Sequence, residues 1–313
     1  MFLFFAARHL SLFFLRKVPI DNSPQPVSHG RVKVRYQEKD GYTTGMSFLS
    51  PDTLIVCDSS SFAVKVVNTN TRELTAYLTV PASPRGISAM SPTQAAVTLP
   101  YIHCIQIVNY YRDELVQLTA IDTDRIPVEG ACSGIDYDRE NKLFAVTFTD
   151  PPKVQLIDRQ GNILNTLANE SASQPVLNRP LYVRFNNTSS RKQLYVTDVN
   201  LNRLLEIDIR NELIVFEKQI EHVEMPRDIY TLPNNDILIC GYNSHTICLV
   251  SELGEYKRTL VSQTDGLEFP CAMTYSEQDK TVYISGKRIG AGPDLWDNIK
   301  YFTLDQQQIE GLQ

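Results

Sequence analysis

The sequence predicts an all-β chain, a six-bladed β-propeller of four-stranded antiparallel blades whose ring is closed by an N-terminal strand. Three observations lead there. Between Arg179 and Lys218 the chain reads Arg-Pro-Leu-Tyr-Val-Arg-Phe, Gln-Leu-Tyr-Val-Thr-Asp, Arg-Leu-Leu-Glu-Ile-Asp and Leu-Ile-Val-Phe-Glu, four short apolar runs divided by polar turns. Runs of this length, rich in β-branched and aromatic residues, are strands. Second, the start of this unit at Pro180 recurs at Thr43, Pro84, Cys132, Pro226 and Pro270, in steps of 41 to 48 residues. A four-strand unit with that period is a propeller blade, because one such sheet cannot bury both its faces alone. Third, each start is followed by two more strands. The second strands are residues 54–58, 95–99, 143–148, 194–198, 237–241 and 282–286, and the third are 64–68, 104–109, 154–158, 204–208, 246–250 and 300–303.

Six blades account for residues 43–304 and leave a ring with an open edge. An unpaired edge is a liability. Residues 32–36 alternate Val32, Val34 and Tyr36 with Lys33 and Arg35, and the economical closure pairs them with the last strand, 300–303. The expected organisation is a tail and linker over 1–30, the propeller over 31–304 and a C-terminal tail over 305–313.

The first fifteen residues, MFLFFAARHLSLFFL, are apolar but interrupted by Arg8 and His9, so they are too short and broken to span a bilayer. No basic start precedes the apolar run, which makes a poor secretory signal. The expectation is a tail outside the propeller, with signal, membrane-contact and transit roles as alternatives. Residues 21–30, with Pro24, Pro26 and Gly30, read as a linker.

The 313 residues carry a net charge of −6, with 42% hydrophobic and 21% charged residues. That composition is ordinary for a globular protein, and the negative balance disfavours non-specific nucleic-acid binding. None of the six cysteines sits at metal-ligand spacing. They are expected as reduced core thiols, with a cross-strand pair Cys240–Cys248 as the alternative, which leans towards a reducing compartment. The expected location is cytoplasmic, or secreted if residues 1–20 act as a signal.

The units Leu-Ile-Val-Cys-Asp58-Ser followed by Val-Lys-Val-Val-Asn, and Gln-Leu-Tyr-Val-Thr-Asp198 followed by Arg-Leu-Leu-Glu-Ile, resemble NHL repeats. The resemblance runs from about Thr43 to Leu304, and blades two, five and six lack the recurring Asp. Chains similar to this form the C-terminal propeller of tripartite-motif proteins, where the resemblance implies recognition of protein partners or RNA. The RING and B-box of those proteins need clustered Cys and His, and His9, His29, His103, His222 and His245 are scattered. The resemblance therefore implies a recognition propeller without the ligase modules.

Three function classes stay open. The first is a protein-interaction scaffold, monomeric, without a cofactor and without a membrane span. The second is a metal-dependent lactonase or arylesterase-type hydrolase, or a lyase, on the same propeller. For it Asp58, Asp136, Asp198, Asp228 and Asn186 are of suitable type, against the plainer reading that strand-end Asp residues satisfy turn amides. No G-x-S-x-G, P-loop or H-E-x-x-H motif occurs. The third is single-stranded RNA binding. Sequons at Asn169, Asn186 and Asn187 matter only in a secreted chain.

The candidate binding residues are cationic. Arg85 and Arg227 follow the landmark proline in blades two and five, and Arg179 precedes it in blade four. On inner strands they would ring one mouth of the channel, joined by Lys287, Arg288 and Trp296 from the long insertion of blade six. That set suits an acidic or phosphorylated protein partner; its alternative is salt bridging to Asp228 and Asp136. No metal site is expected.

Overall fold

The structure is a computed structural model that describes residues 28–34, 41–112, 116–167, 176–186, 192–286 and 298–305. Its strands form six four-stranded antiparallel sheets. Blade one is β2 (Thr43–Ser50), β3 (Thr53–Asp58), β4 (Ala63–Asn68) and β5 (Glu73–Thr79), and blade two is β6 (Ile87–Ser91), β7 (Gln94–Leu99), β8 (Cys104–Arg112) and β9 (Val116–Pro127). Blade three is β10 (Cys132–Asp138), β11 (Leu143–Thr149), β12 (Pro152–Asp158) and β13 (Ile163–Leu167), and blade four is β14 (Pro180–Asn186), β15 (Gln193–Asp198), β16 (Arg203–Asp208) and β17 (Leu213–Lys218). Blade five is β18 (Pro226–Thr231), β19 (Ile237–Gly241), β20 (Thr246–Val250) and β21 (Tyr256–Val261). Blade six takes β22 (Pro270–Ser276), β23 (Thr281–Gly286) and β24 (Asn298–Thr303) from the C-terminal end and β1 (Ser28–Lys33) from the N-terminal end.

The closing strand lies four residues earlier than its alternation predicts, at Ser28–Lys33 rather than 32–36. Its register runs from Ser28 opposite Thr303 to Lys33 opposite Asn298. Gly30 explains the difference. Read as a linker residue, it instead faces Tyr301, whose ring lies where any side chain on Gly30 would stand: a Cβ there would sit 2.3 Å from the phenol oxygen. The first half of the strand is therefore built on a glycine–tyrosine pair and leaves no trace in the apolar pattern. Val32 and Val34 are buried as expected.

Each seam between blades has its own apolar core. Ile55, Val64 and Val66 meet Ala95, Val97 and Val108 between blades one and two, and Val32, Val34 and Ile299 meet Met46, Leu54 and Val56 between blades six and one. Both faces of the middle strands are thus covered, which is why β3 and β15 are buried at all six positions. All six cysteines are free and buried. Cys240 and Cys248 do not face each other: Cys240 packs into the seam with blade six and Cys248 into the seam with blade four.

The seams are tied by a repeated polar joint. Inner strands bulge near their start, as at Cys132/Ile135, Pro180/Tyr182 and Pro270/Met273. A bulge leaves an amide off the ladder. In blades two, three, four and six a hydroxyl near the mouth-side end of the second strand supplies its partner: Thr98, Thr147, Thr197 and Ser285. Thr98 Oγ1 accepts from the Gly86 amide (2.8 Å) and donates to the Ser133 carbonyl of the next blade (2.6 Å). Thr147 Oγ1 accepts from Gly134 (2.8 Å) and donates to Leu181 (3.2 Å). Ser285 Oγ accepts from Ala272 (3.0 Å) and donates to Thr43 (2.9 Å), joining blade six to blade one. One hydroxyl thus satisfies two buried backbone groups. Replacing Thr147 by Val should cost about 1–3 kcal/mol by orphaning them, with Thr147→Ser close to neutral. Urea melts of the two variants check this, and equal losses would remove the hydroxyl from the account.

A buried ion pair reinforces closure. Lys65 Nζ lies 2.5 Å from Asp58 Oδ2, both side chains 1% exposed, and also donates to the Val34 carbonyl just after the closing strand (2.9 Å). Burial raises the Asp58 pKa, but the Lys65 ammonium and several amides outweigh it, so the carboxyl titrates below its ordinary range. Its stabilisation is present above the unfolded value near 4 and fades as pH falls through the lower folded value. Lys65→Met should destabilise by about 3–5 kcal/mol at neutral pH, since it strands a buried carboxylate. Thermal melts at pH 7 and pH 3 should show the deficit shrinking at the lower pH.

Candidate functional site

The inner strands β2, β6, β10, β14, β18 and β22 neighbour one another in ring order around the axis. Equivalent positions on them therefore form rings. The ring one step in from the landmark residue is Thr44, Arg85, Ser133, Leu181, Arg227 and Cys271, and the next is Gly45, Gly86, Gly134, Tyr182, Asp228 and Ala272. The three glycines are required by packing: a Cβ on Gly134 would meet the Leu181 carbonyl at 2.4 Å and one on Gly86 the Ser133 carbonyl at 2.5 Å. Blade four breaks the small-residue row with Tyr182. Its side chain crosses the axis and its hydroxyl donates to the Thr44 carbonyl of blade one, opposite, at 2.8 Å. A narrow crevice, with room for about one water molecule, lies beside it, lined by the glycines, Tyr182, Arg184 and Asp228.

Tyr182 separates two electrostatic layers. On the inner side, Arg184 of blade four stands between the carboxylates of blades three and five. Its Nη1 is 3.3 Å from Asp136 Oδ1 and its Nη2 3.5 Å from Asp228 Oδ1, while Nε donates to the Ile229 carbonyl (3.0 Å). Each carboxylate also accepts an amide of the following blade, Phe185 N to Asp136 (2.9 Å) and Met273 N to Asp228 (3.0 Å). Burial pushes the Asp228 carboxyl up to about 6, with Arg184 and the Met273 and Ile229 amides pulling it down.

On the mouth side the groups are Tyr42, Tyr182, Arg227, Cys271 and Tyr242. Arg227 Nη1 donates to Tyr42 Oη and to Cys271 Sγ, both at 3.2 Å, and its guanidinium lies 4.0 Å from the Tyr242 ring centroid. Phe269 extends the aromatic wall, its ring 5.2 Å from Tyr242 and 4.2 Å from His245. Burial is the main cause raising the Tyr182 pKa; Cys271 and Asp228 add to it, and Arg227 and Arg85 act against it. The phenol stays protonated at neutral pH. Both arginines act electrostatically on this one hydroxyl.

The expected salt bridges to Asp136 and Asp228 are not made by these arginines, because Arg184 holds both carboxylates. Among the described residues, no carboxylate lies within ion-pair distance of Arg85, Arg179 or Arg227. Arg179 occupies the position in blade four that Tyr42 holds in blade one. Its amide donates to Asp198 (3.1 Å) and its side chain is exposed, apart from the Arg227 cluster. Lys287, Arg288 and Trp296 lie outside the described residues.

Of the carboxylates weighed as metal ligands, Asp58 and Asp198 are engaged with backbone amides of their turns. Asp136 and Asp228 belong to Arg184, and Asn186 donates to Gln193 and Tyr195 on its own blade. Arg184, Tyr182, Tyr42 and Cys271 were missed in the sequence. Arg184 carries the one available signal, a charge inside the apolar run Leu-Tyr-Val-Arg-Phe. The other three meet across blades, which no local pattern records.

No family model matches the chain, and no curated protein does. Solved structures match in fold. A catalytically inactive virginiamycin B lyase from Staphylococcus aureus with quinupristin is 13% identical, with a TM-score of 0.60 over 89% of this chain and 100% of that one. Hydrazine synthase from Kuenenia stuttgartiensis is 16% identical, with a TM-score of 0.52 over 78% and 73%. A functionally unknown protein from Desulfotomaculum acetoxidans is 12% identical, with a TM-score of 0.54 over 75% and 73%. These likenesses show the propeller fold. The resemblance to NHL repeats is not shown by them.

Asp228 makes a pH test of the channel layer. Its folded pKa of about 6 stands above the ordinary 3.8. The folded protein therefore binds this proton more tightly than the unfolded chain. The carboxylate opposes folding above pH 6, by up to about 3 kcal/mol, and the opposition fades as pH falls from 6 towards 4. Asp228→Asn should flatten the dependence of stability on pH across that window. An unchanged slope in urea melts at pH 4.5, 5.5 and 6.5 would show that Asp228 titrates normally.

Proposed function

We propose that this propeller is a recognition scaffold whose Arg85–Arg227 mouth takes an anionic group, carboxylate or phosphate, on a protein partner. The observation that carries the reading is charge allocation. Two guanidiniums share one face of a chain of net charge −6, and the nearby channel carboxylates are spent on Arg184. A guanidinium flanked by phenols and a thiol is held in place without being neutralised. Its fork then supplies directional bonds to an incoming oxyanion. The aromatic wall of Tyr242 and Phe269 adds rigid apolar area beside the charge, the composition of an interface hot spot.

The propeller is also a common platform for protein interaction, which agrees with the expectation carried by the NHL resemblance. The lyase among the structural neighbours supports the hydrolase or lyase alternative by fold only. Tyr182 closes the channel beneath the mouth, so the ligand group rests on a floor.

Arg85→Ala with Arg227→Ala should reduce capture of acidic partners about tenfold or more, as loss of charge-assisted bonds does. Fluorescence titration with an acidic peptide library and its phosphorylated counterpart reads this, alongside melts to check folding. Unchanged binding with an unchanged melt would make the arginines structural. Tight, salt-sensitive binding of single-stranded RNA lost in the same variant would favour the RNA reading.

A further inference from the structure

The mouth face carries apolar surface that the arginine site leaves unused. In blades one, two, four and five the turn from second to third strand lies at this face and ends on a left-handed residue: Phe62, His103, Asn202 and His245, with φ between 50° and 56°. Asn and His are among the types that tolerate this region, and a bulky aromatic is not. Phe62 is also 50% exposed. Neither backbone preference nor solvation favours a phenylalanine there, and an unfavourable conformation kept at an exposed site points to function. In blade two the same turn is a 3-10 helix, Pro100–Ile102, begun by its proline. The ring of Pro100 fixes the backbone, and the turn holds Tyr101 and Ile102 out, 79% and 43% exposed. Both turns are tied to the chain around Arg85. Ser83 Oγ donates to the Ser59 carbonyl (3.0 Å) and the Val80 amide to the Phe62 carbonyl (2.8 Å), so the residues leading into Arg85 run along the blade-one turn. The Arg85 amide donates to the Thr98 carbonyl (3.0 Å), at the foot of the blade-two turn. Residues 59–62, 80–85 and 99–103 contain no Asp or Glu, in a chain that has 36, and their one fixed charge is that of Arg85.

We infer that this face reads an apolar side chain beside the anionic group, so that the partner is a peptide segment with Phe, Leu or a similar residue within about three positions of its carboxylate or phosphate. The inference rests on the recognition reading above and narrows its partner. Neighbouring strands lie about 4.8 Å apart and an extended peptide advances about 3.3 Å per residue. The step from Arg85 to either turn is therefore one that two or three residues cover. A peptide with its oxyanion on Arg85 brings its next side chains over Phe62 or over Tyr101 and Ile102. Apolar burial then adds to the directional bonds of the guanidinium, and turns already held in place lose little freedom on binding. Charge attracts any acidic segment, whereas the apolar surface discriminates among them. A peptide fits better than single-stranded RNA, whose phosphates recur at every nucleotide and call for a cationic track. One cation between two apolar turns, on a chain of net charge −6, supplies no such track.

Fluorescence-anisotropy titration of the full chain tests this with labelled Gly-Ser peptides that carry an Asp pair or one phosphoserine. Each is made with Phe and with Ser about two positions beyond the anionic residue. The parent protein should bind the Phe form about tenfold more tightly, the effect of burying one such side chain. Phe62→Asn with Tyr101→Ser removes both rings, sets a suitable residue in the left-handed position and should leave the melt in place. That variant should bind both forms alike, with the parent's affinity for the Ser form. If its melt shifts, Tyr101→Ser alone, on the exposed turn, should still reduce the preference. Equal binding of both forms by the parent, lost in Arg85→Ala with Arg227→Ala, would sink the apolar site and leave the recognition reading standing. No binding of any of these peptides would remove both. A preference for Phe that survives loss of the two rings would place the contact elsewhere and overturn the proposal. So would tight binding of a single-stranded oligouridine that the same variant loses, which would give the rings to base stacking.

Discussion

The structure depends on one small constraint at each seam: a bulged inner strand must find a partner for its displaced amide inside a packed ring. In blades two, three, four and six a hydroxyl near the end of the second strand meets it, and the same hydroxyl has a proton left to give to the adjoining blade. Thr98, Thr147 and Ser285 do both. Blade packing and blade pairing are therefore not independent, since the group that completes one sheet also fixes its distance to the next. Blade one departs from the rule with Cys57, whose sulfur lies 3.7 Å from the Gly86 carbonyl, a weaker bond, and Thr44 Oγ1 donates to the Pro84 carbonyl across the same seam. The last seam is tied by the Ser285 bond and by Lys65, which holds Asp58 to the Val34 carbonyl. The chain itself crosses this seam from β1 to β2, and its two ends meet inside blade six, where the β1–β24 ladder joins them.

Charge in the channel follows from a single residue of blade four. Arg184 reaches blades three and five at once, so it consumes the two carboxylates that the sequence offers to the mouth arginines. Had blade four carried a neutral residue there, Asp228 would lie buried beside the Arg227 layer with no nearer cation. The separation of a neutralised layer from an uncompensated one is thus a property of the ring as a whole, in which one blade's substitution sets what its neighbours can bind.

The architecture was legible because strands leave a local record. The second and third strands of blade five begin and end where the apolar runs do, at Ile237–Gly241 and Thr246–Val250, and most others extend the run by one or two residues. Legibility failed where structure rests on a cross-strand partner far away in sequence. Ser28 to Gly30 looks like linker until Tyr301 is placed opposite, and the inner strand of blade two starts at Ile87, not Pro84, although Arg85 and Gly86 still bond to the Thr98 backbone. The site divides in the same way. Arg85 and Arg227 were visible as equivalent positions of a repeat. Their neighbours Tyr42, Tyr182 and Cys271 come from blades one, four and six, and only closure of the ring makes them adjacent. Asp136 and Asp228 were weighed as alternative partners of the mouth arginines, whereas Arg184, inside the apolar run of β14, holds both.

Tyr182 decides how the mouth can be used. In the three blades with glycine at its position the inner strands touch backbone to backbone, and a small residue in blade four would leave the axis open. The tyrosine spans that opening to Thr44 and brings its hydroxyl to Cys271 (3.6 Å). It therefore serves as floor to the mouth, lid to the Arg184 layer and a strut between opposite blades. A ligand group resting on that floor meets Arg85 and Arg227 from the side and leaves the buried carboxylates untouched, so binding at the mouth does not require any change in the charge state of the layer below. Recognition and ring stability can then vary separately, although a distance of one residue along each inner strand divides them.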